Sequence, residues 1–416
     1  MRPLPKVWLF FLVLLVAGLC SCAVSPLEDQ DASSSSSSSA ENPELIKAWV
    51  WAVDTIEDSL WAIHTVDKEI WERFSFDFRL ENGWTEGGLV GGGIYPTWWT
   101  FNPQSIVAYT SGILDHGDHG HIVHPELHVS LEVTVDDSVV DLMAAPKKKT
   151  LAAALVHADG ASGQIIFVGY NDGDTTEAEI PFAPQNLALS DSTLLIRSGD
   201  SLYAYAYPAM DLRTTLALDS CLDLHYDSAG HGFYAACMDG VYRMDADSLN
   251  LTLLADSKPE GGAIQRLLGA PGSGLALGIA GCGSSGLVVL NTRTASAQVL
   301  ESEGAFFPGA GQMGLVDISD DGSIALLADT AKPVLYKLNL ATQEIQSLEI
   351  TAVPLGVALN YDGSRAWMLQ PGMVYQVSFD SSRVVDSLEV STGVTGIYIS
   401  SYSDNSALYD SDDHTF

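Results

Sequence analysis

Two Asp-Gly turns set 41 residues apart, Asp321-Gly322 and Asp362-Gly363, constrain this chain more than its composition does. Around them the same order of short apolar runs appears twice. Residues 314–323 lead into Ile324–Ala328, then Val334–Leu338, then Glu344–Leu348. Residues 356–364 lead into Ala366–Leu369, then Met373–Val377, then Val384–Leu388. Apolar runs this short, bounded by Gly, Asp, Asn and Ser, read as strands separated by turns. A period of about 40–45 residues with four strands per unit is the arithmetic of one propeller blade. Such a unit cannot bury both of its faces alone, so neighbouring units must stack.

Weaker copies fill most of the remaining chain. One runs from His128 to Pro181 with an insertion at Lys147–Lys149; others span Leu187–Leu218, Leu222–Ala255 and Ile264–Leu300. Upstream, Ala48–Ala52, Ser59–Ile63 and Ile70–Phe74 read as three strands lacking an inner one, which the tail segment Thr395–Ser400 can supply. Closing a sheet ring in this way removes exposed strand edges. The fold class expected is therefore all-β: a single closed β-propeller over residues 44–416, with about eight four-stranded blades and seven as the alternative. Trp49, Trp51, Trp61 and Trp71 fall inside the strand runs, which favours packing between blades over a carbohydrate-stacking surface.

Residues 1–21 read as a targeting segment. Arg2 and Lys6 precede an apolar run, Val7–Gly18, of 12 residues, shorter than the roughly 20 needed to span a bilayer. The run ends in Leu19-Cys20-Ser21-Cys22, which resembles a bacterial lipobox and makes Cys22 the lipidation site. Residues 22–43, with seven consecutive serines at Ser33–Ser39, read as an acidic flexible tether. The expected location is extracytoplasmic and lipid-anchored, on the periplasmic face of a bacterial membrane, the outer one first, or on the cell surface.

Charge narrows the partners. With 53 Asp+Glu against 19 Lys+Arg, the formal net charge of −34 argues against nucleic acid and against adhesion to anionic lipid. The membrane is expected to be reached through the lipid alone, and the head to be a monomer. In an oxidising compartment, Cys221 and Cys237 bracket a short hairpin-like segment and are expected to form a disulfide, leaving Cys282 odd. Closing a loop of that size stabilises by about 3 kcal/mol in the chain-entropy model.

The densest chemistry lies in Asp115-His116-Gly117-Asp118-His119-Gly120-His121-Ile122-Val123-His124-Pro125-Glu126-Leu127-His128, where five of the ten histidines fall within 13 residues. Neutral imidazole and carboxylate suit zinc, while the lack of Cys and Met there argues against copper(I) and the histidines against calcium. His116 and His119 flank a turn at Gly117, and His119 and His121 share a face in extended chain. Asp118 and His124 complete the candidate ligand set. His64 and His157 sit in apolar strand contexts and read as packed residues. The acid-rich turns at Asp317–Asp321 and Asn360–Asp362 read as structural. No nucleophile elbow or phosphate-binding glycine loop occurs.

The Asp115-His116-Gly117-Asp118-His119 run followed by His121 resembles the DHGDH-x-H signature of the AztD-type zinc metallochaperones. A second region, Cys221–His225 followed by Gly232–Val241, resembles that family's Cys, Leu-His and Cys-x-Asp-Gly-Val segment. The chain departs from the pattern at Pro184-Gln185-Asn186, where a further His is usual, and at Tyr226, where Gly is usual; Asp141 is set against another expected His. The resemblance implies a β-propeller that binds zinc, Zn2+, as cargo and hands it to the solute-binding protein of an ABC transporter. It adds His225 to the metal ligands. No catalytic residues are expected, and the chain reads as a binding protein rather than an enzyme. The alternative is a propeller scaffold for protein interaction with a vestigial metal site.

Overall fold

The computed structural model describes residues 48–401, apart from 55, 58, 65–69, 76–85, 89–96, 103–104, 114–124, 135–136, 146–149, 170–174, 261, 271, 281–285, 302–314, 320 and 361–362. Among the described residues there are strands and turns but no α-helix, and no helix long and apolar enough to cross a membrane.

The strands form four-stranded antiparallel sheets. The first joins β1 (Ala48–Asp54), β2 (Ser59–His64) and β3 (Ile70–Ser75) to β32 (Val394–Ser401), in the order β3-β2-β1-β32. The second contains β4 (Glu86–Gly88), β5 (Thr97–Asn102), β6 (Ser105–Ile113) and β7 (Pro125–Thr134). The third contains β8 (Ser138–Ala145), β9 (Thr150–Val156), β10 (Gly163–Gly169) and β11 (Thr175–Ile180). Next come β12 (Asn186–Leu189), β13 (Thr193–Ser198), β14 (Ser201–Ala206) and β15 (Asp211–Ala217). The fifth holds β16 (Cys221–Asp227), β17 (Gly232–Cys237), β18 (Gly240–Asp245) and β19 (Leu251–Leu253). β20 (Ile264–Leu268), β21 (Leu275–Ala280), β22 (Gly286–Asn291) and β23 (Ser296–Glu301) make the sixth. The seventh is β24 (Val316–Ile318), β25 (Ile324–Ala328), β26 (Val334–Asn339) and β27 (Ile345–Glu349). The eighth is β28 (Gly356–Leu359), β29 (Ala366–Gln370), β30 (Met373–Ser378) and β31 (Arg383–Glu389).

Position within a sheet follows from side-chain polarity. Second strands are apolar on both faces and are buried throughout, as in β17, β25 and β29. A strand covered on both faces needs a continuous apolar run, whereas a half-covered one needs alternation. Fourth strands alternate and are mostly exposed, as β15 and β31 show. Apolar side chains then weld neighbouring sheets. Phe233 and Met244 pack with Ala188 and Leu195 of the sheet before. Tyr234 and Val241, on the other face, pack with Ile264 and Val288 of the sheet after. Trp367 and Leu369 meet Val50 and Trp61 of the first sheet. Each such side chain contributes about 1.5–3 kcal/mol when fully buried.

Turn chemistry is local and acidic. Asp321 Oδ1 accepts the Ser323 N–H at 2.9 Å, and Asn360 Oδ1 accepts the Arg365 N–H at 2.8 Å. Gly322 has φ 69° and Gly363 φ 66°, the left-handed region that any side chain would strain. Asp321 and Asn360 thus serve the turns themselves, each accepting a backbone N–H.

Three first strands carry a second carboxylate device. Asp141 Oδ2 accepts the Leu187 N–H at 2.6 Å, Asp223 Oδ2 that of Leu267 at 2.7 Å, and Asp317 Oδ2 that of Leu359 at 2.7 Å. Each ties its own sheet to the first strand of the next. Burial pushes the Asp317 carboxyl up to about 7 despite its backbone donors.

One boundary differs from the sequence expectation. The unit expected from His128 to Pro181 is split, because residues 125–134 form β7 and pair with β6 in the second sheet, Thr110 opposite His128. The third sheet begins only at Ser138. Alternation identifies a strand but carries no information on which neighbour it joins.

Candidate functional site

β6 ends at Ile113 and β7 begins at Pro125, which pair with each other across the sheet. His116, Asp118, His119, His121 and His124 lie between them, outside the described residues, as do Cys22 and Cys282. Of the candidate ligands, His225 is described, and so is the pair Cys221 and Cys237, which are joined in a disulfide between facing positions of β16 and β17.

His225 stands on β16 opposite Tyr234. The strand places Asp223, His225 and Asp227 at alternate positions, so all three side chains face the sixth sheet. Asp223 reaches Leu267 there. Asp227 is fully buried, and its Oδ1 accepts the N–H groups of Ala229 at 2.9 Å and Gly272 at 3.0 Å. Its Oδ2 accepts the Gly274 N–H at 3.0 Å and a short bond from the Thr292 hydroxyl. The imidazole between them has a buried Nε2 with no hydrogen-bond partner. A Cβ added to Gly269 would stand 2.8 Å from that nitrogen. Burial pulls the His225 pKa below its usual value, opposed in part by the charge of Asp227. The ring is therefore neutral, which is the form a metal takes.

A fixed cation occupies the neighbourhood of the other inner carboxylates. Arg197 donates from Nε to Asn186 Oδ1 at 2.7 Å and from Nη1 to the Cys221 carbonyl at 2.8 Å. Burial lowers its pKa, while the charges of Asp223 and Asp141 raise it. Burial also raises the Asp223 pKa, against the Leu267 N–H and the charge of Arg266. These carboxylates are compensated by guanidinium and backbone donors, which leaves little for a divalent cation. Among the described residues no three His, Cys, Asp or Glu side chains come together in a metal-holding group.

His157 departs from expectation. It is not packed in an apolar setting; its Nδ1 lies 2.7 Å from Asp137 Oδ2 and its Nε2 2.9 Å from Glu179 Oε2, near the surface. Hydrogen bonds to Glu179 and then Asp137 raise its pKa, which favours the charged ring. The sequence reading also passed over Asp223 and Asp227, although their spacing of two on either side of His225 was a signal that they share its face.

No protein-family model matches the chain, and no curated protein does. Solved structures do resemble it. Apo AztD from Citrobacter koseri superposes with a TM-score of 0.65 at 14% identity, over 85% of this chain and 97% of that one. A second AztD structure from Citrobacter koseri gives 0.63 at 14% identity, with the same coverage. The dihydro-heme d1 dehydrogenase NirN gives 0.56 at 12% identity, over 87% of this chain and 76% of that one. At these identities the likeness is one of fold: an AztD-like, all-β propeller architecture.

Proposed function

We propose that this protein is a lipid-anchored, extracytoplasmic zinc-binding propeller, a metallochaperone that delivers zinc to the solute-binding protein of an ABC importer. The observation that carries the reading is the His116–His121 run set in a chain whose fold resembles AztD over 85% of its length. In this reading the sheets close into one eight-bladed ring. Zinc is cargo, held by His116, His119, His121 and His124 with Asp118 in reach, and His225 adds a neutral imidazole nitrogen. Three or four such nitrogen and oxygen ligands meet the preference of zinc. The head binds and transfers without catalysis, as a monomer anchored through Cys22, and its negative field concentrates cations and steers a basic partner face.

Purified protein dialysed against zinc at neutral pH is expected to retain at least one zinc per chain, measured by elemental analysis. Changing His116, His119 and His121 together to Ala is expected to abolish it. Metal affinity should fall as pH drops through about 6.5, because ligating imidazoles must be neutral. A wild-type protein that stays metal-free leaves the second reading, a propeller scaffold with a vestigial site. Arg197 among Asp141, Asn186 and Asp223 favours that reading, since a guanidinium there competes with a metal ion. Cys22→Ser should move the head from the membrane to the soluble fraction.

A further inference from the structure

One end of the fifth sheet carries apolar side chains that its own packing does not use. The turn between β17 and β18 is Met238-Asp239, where the equivalent turns are Gly199-Asp200 in the fourth sheet and Pro371-Gly372 in the eighth. Glycine, proline and aspartate serve such turns through their backbone preferences, and methionine has no such preference to offer. Met238 is 52% exposed. Leu222 is the extra residue of a bulge: Cys221 and Asp223 face successive residues of β17, and Leu222 faces none. The matching bulge in β20 has Gln265, so the position does not demand an apolar side chain. Leu222 is 39% exposed, and Leu253 on β19 is 45% exposed. The three lie at one place. Cys221 and Cys237, the residues just before Leu222 and Met238, are bonded to each other. A Cβ added to Gly240, at the end of the Met238 turn, would stand 3.2 Å from Leu253 Cδ1.

Carboxylates surround these side chains. The Ser220 carbonyl accepts the Met238 N–H at 3.1 Å, while the Ser220 N–H donates to Asp200 Oδ1 at 3.3 Å and its hydroxyl to Asp219 Oδ1 at 3.0 Å. Asp239 Oδ2 accepts the hydroxyl of Tyr242 at 2.7 Å, and Tyr242 stands opposite Leu253. Asp200, Asp219 and Asp239 are all exposed. The nearby guanidinium groups are engaged within the fold: Arg197 with Asn186 and the Cys221 carbonyl, Arg213 with Thr193, Arg243 with the Gly230 carbonyl. Lys258, on the chain after β19, is outnumbered by its exposed neighbours Asp256 and Glu260.

We propose that this end of the fifth sheet is a docking surface for a protein partner that presents an apolar side chain set among Lys or Arg. An apolar centre containing Met inside a polar rim is the anatomy of an interface, and the sign of the rim selects the partner. A second copy of this chain would bring the same carboxylates and a net charge of −34, and an anionic lipid surface is repelled for the same reason. The surface is also stiff before anything docks. The disulfide joins β16 to β17, and the Ser257 hydroxyl accepts the Val241 N–H at 2.8 Å and donates to the Leu254 carbonyl at 2.8 Å. Such preorganisation lowers the ordering cost of binding. The inference goes beyond the zinc reading and does not depend on it.

The test uses two fluorescein-labelled synthetic peptides, one alternating Lys with Leu and one alternating Lys with Ser, titrated into the purified protein and followed by anisotropy. The Lys-Leu peptide is expected to bind about tenfold or more tightly than the Lys-Ser peptide. Met238→Ser combined with Leu253→Ser should remove that advantage. Val384→Ser combined with Val385→Ser, at exposed positions of β31, should leave it within about twofold. Asp200→Asn with Asp219→Asn should flatten the salt dependence of binding. Equal losses in the two serine pairs, or a loss in neither, mean that the peptide meets the acidic surface at large, and either result overturns the inference. Wild-type protein gives an independent readout in methyl NMR: Leu222, Met238 and Leu253 should shift with the Lys-Leu peptide, and shifts confined to other methyl groups overturn it. Two further outcomes do the same by naming another occupant. These are self-association of the wild-type chain, or its binding to phosphatidylglycerol vesicles, that disappears with Met238→Ser and Leu253→Ser. None of these variants alters a proposed zinc ligand, so failure here leaves the zinc reading untouched.

Discussion

His225 lies within β16 and His157 just past the end of β9, and the molecule treats them in opposite ways. His225 faces the interior between the fifth and sixth sheets, where burial favours the uncharged ring. His157 sits at the end of β9, where Asp137 and Glu179 each take one ring nitrogen and favour the charged ring. The same side chain has an uncommitted ring nitrogen in one place and a proton held more tightly than usual in the other. A histidine with both nitrogens engaged has no free lone pair, so only the first setting leaves a ring nitrogen uncommitted. The local sequence around either residue does not make this choice; it is made by what the neighbouring strands bring opposite.

The contrast breaks most severely at Asp227. Asp227→Ala removes the acceptor for three backbone N–H groups and one hydroxyl, and each buried donor left unpaired costs about 1–3 kcal/mol. A loss of at least about 3 kcal/mol in chemical denaturation is expected, and a loss under about 1 would mean that water replaces the carboxylate. Gly269→Ala comes next, at about 1–3 kcal/mol from overpacking. Pairing it with His225→Ala should recover part of that loss, since the methyl group then has room, and a strictly additive pair would show that the ring is not what it strikes.

Proton linkage sharpens the comparison further, because the two histidines act with opposite sign. The folded pKa of His225 is depressed, so its contribution is complete above the unfolded value of about 6.5 and is lost as pH falls below it. The folded pKa of His157 is raised, so its contribution is present below about 6.5 and is lost as pH climbs through that raised value. Residue-resolved NMR titration should show His157 changing state above 6.5 and His225 unchanged at that pH. The smallest effect belongs to His157→Gln. The ion pairs are near the surface and screened, so the thermal midpoint at pH 8 should hardly move, while the titration step above 6.5 disappears. A large fall in midpoint at pH 8 would mean that the clamp does more than hold charge.

The architecture was readable because blades repeat a physical requirement. Ile324–Ala328 and Ala366–Leu369 are apolar without alternation, and only a strand covered on both faces tolerates that. Asp-Gly at 321 and 362 marked the left-handed turn positions directly. What escaped the reading depended on register. The carboxylates that hold His157 lie 20 and 22 residues away, Asp137 just before β8 and Glu179 on β11, and His128 was assigned to the wrong sheet because pairing partners leave no local trace. Asp223 and Asp227 are the intermediate case: their alternation with His225 was visible, but the backbone groups they hold belong to residues more than 40 positions downstream.

The pairing of β1 with β32 sets Trp49 opposite Ser400, and Val50 opposite Ile399. Contacts between residues so far apart in sequence close late, since the loop they bridge is nearly the whole strand-forming chain. Until the last strand arrives, β1 presents a bare edge of unpaired amide and carbonyl groups, the kind of surface that recruits strands from other molecules. A nascent chain therefore passes through a period of exposure that no earlier sheet can shorten. Chain breaks ahead of Val394 should be far more damaging to solubility than breaks in a turn between two outer strands.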